Sequence, residues 1–382
     1  MSAPPSSGAW RCALREGEET FHAIFGRDEE LSASAPGRVN LIGEHTDYNE
    51  GFVLPIAIPQ RTTVRLARRD DRLVRVWSAN TGRVRAAIRT FELGHEALAQ
   101  AWVDYVQGVT WALREEGCAI GGVDVAVASD VPLGSGLSSS AALEVGVLRA
   151  LSAAFSLELD GSTIARLAHR AETGFVGVPV GVMDQMASSL ASEDAALFID
   201  TRTLAFEHVP LPASAQLLVI NSGITHAHAG GEYRTRRSEC EAAARALGLR
   251  ALRDADRQRL TEVLLPEPLN RRARHVVTED DRVLEMRAAL LAGDLATAGA
   301  LMNDSHRSMS EDFEVSTPEV DVLVRMAQAQ EGVFGARMTG GGFGGCIVAL
   351  CAHGTARDAG ARALRAYTAE TGRAGRLLIP EA

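Results

Sequence analysis

The stretch VPLGSGLSSSAALEVGVLRAL, from Val131 to Leu151, constrains the fold of this chain most. Upstream of it Val123, Val125 and Val127 alternate as in a strand, and within it Leu143, Val147 and Leu151 recur at helical spacing, so the glycines and serines between them make a strand-to-helix turn. Such a turn suits a phosphate. Gly134 and Gly136 let the backbone approach an anion closely, the first N–H groups of a helix lack intrahelical partners, and the macrodipole adds partial positive charge there. An ordinary helix cap needs one hydroxyl. Ser138, Ser139 and Ser140 supply three, which favours a phosphate loop built from Gly134, Ser135, Gly136, Leu137 and these serines.

The loop is not of the G-x-x-x-x-G-K-[ST] kind, because the chain contains no lysine and all 39 of its basic residues are arginine. The same absence removes the strand lysine of protein kinases and every Schiff-base mechanism. At 382 residues the chain is long for one core and natural for two lobes. A formal net charge of −10 argues against a nucleic-acid or anionic-membrane surface and leaves small molecules as the expected partners. Five scattered cysteines (12, 118, 240, 346 and 351) without a C-x-x-C pair indicate neither a zinc site nor a disulfide framework. No apolar run approaches the ~18 residues of a membrane span, and the N-terminus lacks the pattern of a secretory leader. A soluble, cytoplasmic protein is therefore expected, as a monomer, with a homodimer left open.

Along the chain, a first helix is expected around Glu19 to Phe25, followed by a loop-rich stretch from Ser32 to Ile58 between short apolar runs. Thr62 to Leu66 and Val74 to Val76 alternate as strands of a half-buried antiparallel sheet. Trp102, Tyr105, Val106 and Val109 fall at helical spacing, and Ile164 to Glu172 reads as a further helix. Pro210 and Pro212 mark residues 205–215 as the crossing between the lobes, dividing the chain into 1–205 and 206–382. Leu217 to Ile220 reads as a buried strand, residues 239–301 as mostly helical, and MTGGGFGGC as a glycine run leading into another buried strand.

Three motifs together carry a family resemblance. APGRVNLIGEHTDYNEG resembles the galactokinase signature, VPLGSGLSSSAA the second motif of the GHMP small-molecule kinases, and MTGGGFGGC their third, in the family's order over nearly the whole chain. The resemblance implies an α+β fold of two lobes with the active site between them. It implies transfer of the γ-phosphoryl of ATP to the anomeric hydroxyl of galactose with Mg2+. N-acetylgalactosamine as the acceptor, or a sugar- and ATP-binding transcriptional sensor with little turnover, stay open; Ser140 and Ala141, a pair that such sensors can lack, favour the enzyme.

By the same resemblance Arg38 stabilises the transferring phosphoryl, a role suited to a permanently charged guanidinium, and Asp184 in GVMDQ is the catalytic base. Asp184 could equally cap the helix that follows it, and an ordinary aspartate, ionising at about 4, would orient and polarise a hydroxyl as much as deprotonate it. Ser140 and Glu172 match the metal positions; taken alone, Glu172 would read as a solvated helix face. Glu44, His45, Asp47, Gly181 and Tyr233 match the sugar positions, where each hydroxyl needs a donor and an acceptor. Ser78, Trp102 and Tyr105 match positions around the nucleotide, although on spacing alone the two aromatics read as core. His226 and His228, at i and i+2, are weak metal candidates and are discounted.

Overall fold

The computed structural model describes residues 20–81, 88–224 and 229–380; Cys12, Glu19, His226 and His228 lie outside the described residues. The chain opens with α1 (Phe21–Phe25), capped by the Thr20 hydroxyl, and continues through β1 (Leu31–Asn40), β2 (Phe52–Val53), β3 (Pro55–Arg68), β4 (Leu73–Ser78) and β5 (Arg89–Glu92). After α2 (Val103–Glu115), the valine alternation becomes β6 (Val123–Ser129), and the loop after it enters α3 (Ser139–Phe155). Next come α4 (Gly161–Arg170), α5 (Met183–Leu190), β7 (Ala195–Asp200) and β8 (Phe206–Pro210). The second half runs β9 (Ala215–Asn221), α6 (Ala229–Leu247), α7 (Arg257–Glu262), α8 (Leu269–Ala292), α9 (Leu295–Glu311), α10 (Pro318–Gln328), β10 (Val333–Thr339), β11 (Cys346–Ala352), α11 (Ala356–Thr371) and β12 (Arg376–Ile379).

The N-terminal sheet has the order β1-β3-β6-β4-β5, antiparallel except for the parallel pair β4–β6. Val123, Val125 and Val127 point to one face and pack with Val64, Leu66 and Val76 against α2, α3 and α4. On the opposite face of β6 the buried Asp124 takes hydrogen bonds from Arg75 Nε at 2.6 Å and Nη2 at 2.8 Å, and Arg69 adds a third at 3.3 Å. The period of two in β6 thus separates an apolar face from a buried ion pair. The C-terminal sheet, β10-β11-β9-β12, buries Leu218, Ile220, Ile347 and Ala349 against α6, α10 and α11.

The two halves also share a core. Val39 and Ile56 of the first sheet and Val219 and Val348 of the second meet Met286 and Met302 of α8 and α9 in one apolar cluster. The α+β, two-lobed expectation holds, with the lobes continuous through this cluster rather than joined by a linker.

Three local expectations need correction. The stretch from Ser32 to Ile58 is not loop-rich throughout: β1 and β3 occupy most of it as antiparallel partners. Pro36 and Gly37 sit where the β1–β3 register shifts between Pro36 and Arg38, so the apparent breakers make a bulge and the strand continues. The helix expected to reach Glu172 ends at Arg170 and gives way to a π-turn over Ala171–Val176. The crossing at 205–215 includes β8, which pairs with β7 in a small sheet of order β2-β7-β8, so the passage into the C-terminal sheet occupies only the residues between Pro210 and Ala215.

Helix α9 packs on β10 so closely that a Cβ on Gly299 would stand 2.2 Å from the Phe334 carbonyl oxygen. Gly299→Ala must push the helix off the sheet and should destabilise the protein by about 1–3 kcal/mol, read from its thermal unfolding. A wild-type unfolding midpoint would contradict this packing.

Candidate active site

Arg38 follows the bulge in β1 and is 3% exposed. Its Nε and Nη2 both donate to Asp184 Oδ1, at 2.9 and 2.6 Å, while Nη1 donates to the Gly136 carbonyl at 2.6 Å. One guanidinium therefore ties together the signature strand, the first turn of α5 and the phosphate loop. In that loop Gly134, Gly136 and Ser138 have positive φ, and Ser138, at the start of α3, makes no side-chain capping hydrogen bond. Its buried hydroxyl has no partner. The N–H groups at the start of α3 thus have no side chain closing them off, the arrangement an anion needs.

The glycine run closes over the loop. A Cβ on Gly340 would lie 2.7 Å from the Gly136 carbonyl oxygen, so only glycine allows the two loops to touch. The backbone N–H of Gly340 donates to Glu44 Oε1 at 2.7 Å and the Thr339 hydroxyl to the same oxygen at 3.1 Å. Glu44 thereby anchors the third motif to the first. Burial raises its carboxyl, with Arg337 and Arg38 opposing.

A cavity of about 440 Å3 opens between these elements. Arg38, Glu44, His45, Asp47, Asp184 and Tyr233 line it on one side, with Gly181 and the Val178–Val180 segment. Gly134, Gly136 and Leu137 through Ser140 line the other. Gly181 has no room for a side chain, since its Cβ would fall 1.9 Å from Asp47 Oδ2. His45 shares a 2.9 Å hydrogen bond between Nδ1 and the Tyr48 hydroxyl, while its buried Nε2 has no partner. Burial, then the charges of His275 and Arg236, push His45 down to about 3, so the imidazole is neutral.

The other expected site residues do not border this cavity. Ser135 is buried beneath the loop, its hydroxyl on the Pro132 carbonyl at 2.7 Å. Ser78 ends β4 and accepts the Asn80 N–H at 3.2 Å. Trp102 packs on the N-terminal core. Tyr105, on α2, does not line the cavity; burial, then the charges of Glu172, Glu144 and Asp104, push its phenol up to about 12. Glu172 sits in the π-turn, a local unwinding typical of functional positions. Burial, then Asp184, push it up to about 7, with a hydrogen bond from Ser140 among the opposing effects.

Ser140 and Glu172 fit a magnesium–nucleotide complex, in which the cation keeps waters and phosphate oxygens and takes few protein ligands. Among the described residues no cluster of three or more His, Cys, Asp or Glu offers a self-sufficient metal cage. Sequence reading missed Glu144, Gln185 and Arg337. Glu144 had one signal, a lone carboxylate in the apolar run of α3. Gln185 and Arg337 had none, because their partners are brought together by the fold.

Residues 19–68 match the galactokinase galactose-binding signature, 104–192 the GHMP kinase N-terminal domain and 286–370 the GHMP kinase C-terminal domain. A galactokinase from Roseiflexus sp. (strain RS-1) is 45% identical over 369 residues, spanning 94% of this chain and 93% of its own. The chain belongs to the galactokinase family. A second galactokinase, from Streptomyces coelicolor, is 45% identical over 87% of both chains. The crystal structure of Lactococcus lactis galactokinase complexed with galactose superposes with a TM-score of 0.89 at 33% identity, covering 94% of this chain and 95% of that one. A mevalonate kinase, with a TM-score of 0.63 at 17% identity, shares the GHMP fold.

In this family member the signature carboxylate Asp47 is pushed up to about 7 by burial and by the charge of Asp184, with the Tyr48 N–H opposing at 2.9 Å. The folded, ligand-free protein therefore keeps a proton that the unfolded chain releases near about 4. The stability tied to this proton is full below that pH and is lost as pH rises through 7. Asp47→Asn cannot lose it. The stability of the variant relative to wild type should climb between pH 5 and pH 7, by up to about 1.4 kcal/mol per unit. Thermal unfolding of both proteins across that range checks this, and a constant difference would contradict it.

Proposed function

We propose that the protein transfers the γ-phosphoryl group of ATP to the anomeric C1 hydroxyl of galactose, with Asp184 as the base and Arg38 as the transition-state stabiliser. The observation that carries this reading is the position of Arg38, bonded at once to Asp184 and to the phosphate loop at the wall of the cavity. Galactose occupies the half lined by Glu44, His45, Asp47, Gly181 and Tyr233, and the ATP phosphates meet the N-terminus of α3. The nucleoside end extends toward Ser78, Trp102 and Tyr105.

The two Arg38 bonds to Asp184 both land on Oδ1, which leaves Oδ2 to accept the C1 hydroxyl proton. Arg38 keeps its charge through the reaction and stands beside the oxygens on which negative charge accumulates. His45, neutral and with Nε2 free, receives or donates a hydrogen bond to a sugar hydroxyl. Mg2+ held by Ser140 and Glu172 would neutralise charge on the phosphate oxygens. No helix among the described residues is long and apolar enough to cross a membrane, and Cys118, Cys240, Cys346 and Cys351 are free thiols, which suits the cytoplasm.

ADP release measured with galactose, with N-acetylgalactosamine and without sugar tests the reading. Galactose-dependent release supports it, stronger release with N-acetylgalactosamine reassigns the acceptor, and no sugar-dependent release favours a sensor. Asp184→Asn should keep sugar and nucleotide binding and lose roughly 10²–10⁴ in kcat. Near-normal turnover in that variant would remove Asp184 from the role of base.

A further inference from the structure

Glu172 does not stand alone. Glu144, one helical turn beyond Ser140 on α3, and Gln185, directly after Asp184 on α5, are both 0% exposed. The Gln185 amide Nε2 donates to Glu172 Oε2 at 2.6 Å and lies 3.3 Å from Glu144 Oε2. Its two N–H groups are thus shared between two carboxyls. Turned over, the amide would aim a carbonyl oxygen at the nearby Glu172 Oε2, so this orientation is the one that suits an ionised Glu172. Gln185 Oε1 is buried without a partner, while the Glu144 and Glu172 carboxyls also lie within hydrogen-bond reach of each other. The bond from Gln185 to Glu172 is short, as a hydrogen bond to a carboxylate can be.

Successive helical residues point about 100° apart, from the 3.6 residues per turn of a helix. In the first turn of α5 this sends Asp184 toward Arg38 and Gln185 toward Glu172. A carboxylate on a three-torsion side chain binds a cation well only when its orientation is already set, and partners of metal ligands serve that purpose. An apolar side chain of the same size would fill the space and remove the amide from the Glu172 carboxylate, leaving Ser140 and Glu144 as its hydrogen-bond partners.

We propose that Gln185 is a positioning residue for the metal–nucleotide complex: its amide, bridging Glu144 and Glu172, holds Glu172 in the orientation that binds the divalent cation and ties that orientation to the helix carrying Asp184. The proposal rests on the reading of Glu172 as a metal ligand.

Mn2+ can replace Mg2+ as a spectroscopic probe, with free Mn2+ counted by electron paramagnetic resonance in the presence of a nonhydrolysable ATP analogue. Wild type, Gln185→Met and Glu172→Gln are compared, with galactose affinity measured separately by calorimetry. Gln185→Met should weaken Mn2+ binding by about tenfold or more, the usual effect of losing a partner of a metal ligand, and leave galactose affinity within about twofold. Wild-type Mn2+ affinity in Gln185→Met alongside a loss in Glu172→Gln overturns the inference and leaves Glu172 in place. Unchanged affinity in both variants overturns the reading of Glu172 and the inference with it. Equal losses of Mn2+ and galactose affinity mean that Gln185 only supports the fold, which also overturns it. Where Gln185→Met does not fold, Gln185→Asn decides by the same criteria, since it keeps an amide but withdraws it by one methylene from the two carboxyls.

Discussion

A guanidinium shut away from water must be neutralised where it lies, and the arrangement around Arg38 follows from that demand. Leaving such a charge buried and unpaired would cost several kcal/mol. Its compensation comes from the Asp184 carboxylate and the Gly136 carbonyl, so satisfying one side chain fixes β1, α5 and the phosphate loop relative to one another. The planar fork is what makes this possible, since its N–H groups leave in set directions and cannot follow a displaced partner as an ammonium could. The geometry that reads as catalytic is thus also the geometry that the fold must adopt to bury Arg38.

A second buried arginine does the same for the loop that follows β1. Arg337 is 0% exposed, lies 3.7 Å from both Glu44 Oε1 and Glu279 Oε1, and donates to the Asn40 carbonyl at 2.9 Å. Glu279 in turn accepts the Gly43 N–H at 2.9 Å and the Ser305 hydroxyl at 2.6 Å. Burial opposes ionisation of Glu279, but Arg282 and Arg337 hold its carboxyl well below the usual range. The signature loop is therefore clamped to α8, α9 and β10 by charge, while the apolar cluster between the sheets supplies the surrounding rigidity.

What could be read in the sequence depended on how local the cause was. The phosphate loop was legible because Gly134, Gly136 and the serine run fix its backbone within a few residues, and the three motifs fell on one cavity in the order the resemblance implied. The strand character of residues 32–58 was hidden because Pro36 and Gly37 look like breakers, and only pairing with β3 turns them into a bulge. Gln185 and Arg337 were out of reach for the same reason, and Glu144 offered only its isolation in an apolar helix: the Gln185–Glu144 bridge spans 41 residues and the Arg337–Asn40 bond 297. Tyr105 sits on the helix that spacing gave it and Trp102 stands at its N-cap, yet neither borders the cavity, because helical spacing says which face is buried and not what is buried beside it.

The cavity is electrically divided, and the division has a consequence for how substrates enter it. On one side the carboxyls of Glu44, Asp47 and Asp184 are gathered; on the other, the uncapped start of α3 presents N–H groups and the positive end of a helix. Arg38 stands between and is occupied by Asp184, so it cannot offset every carboxyl beside it. An anion approaching the carboxyl side would meet mainly oxygen atoms, which offer it few donors. The start of α3 offers an anion the N–H groups that the carboxyl side lacks. A neutral polyol has the opposite preference, since carboxyls and a neutral imidazole offer the acceptors and donors that its hydroxyls require. The empty site is thus already polar in one direction across Arg38, with N–H donors on the loop side and carboxyl oxygens on the other, which is the pattern the proposed orientation of phosphate against hydroxyl requires.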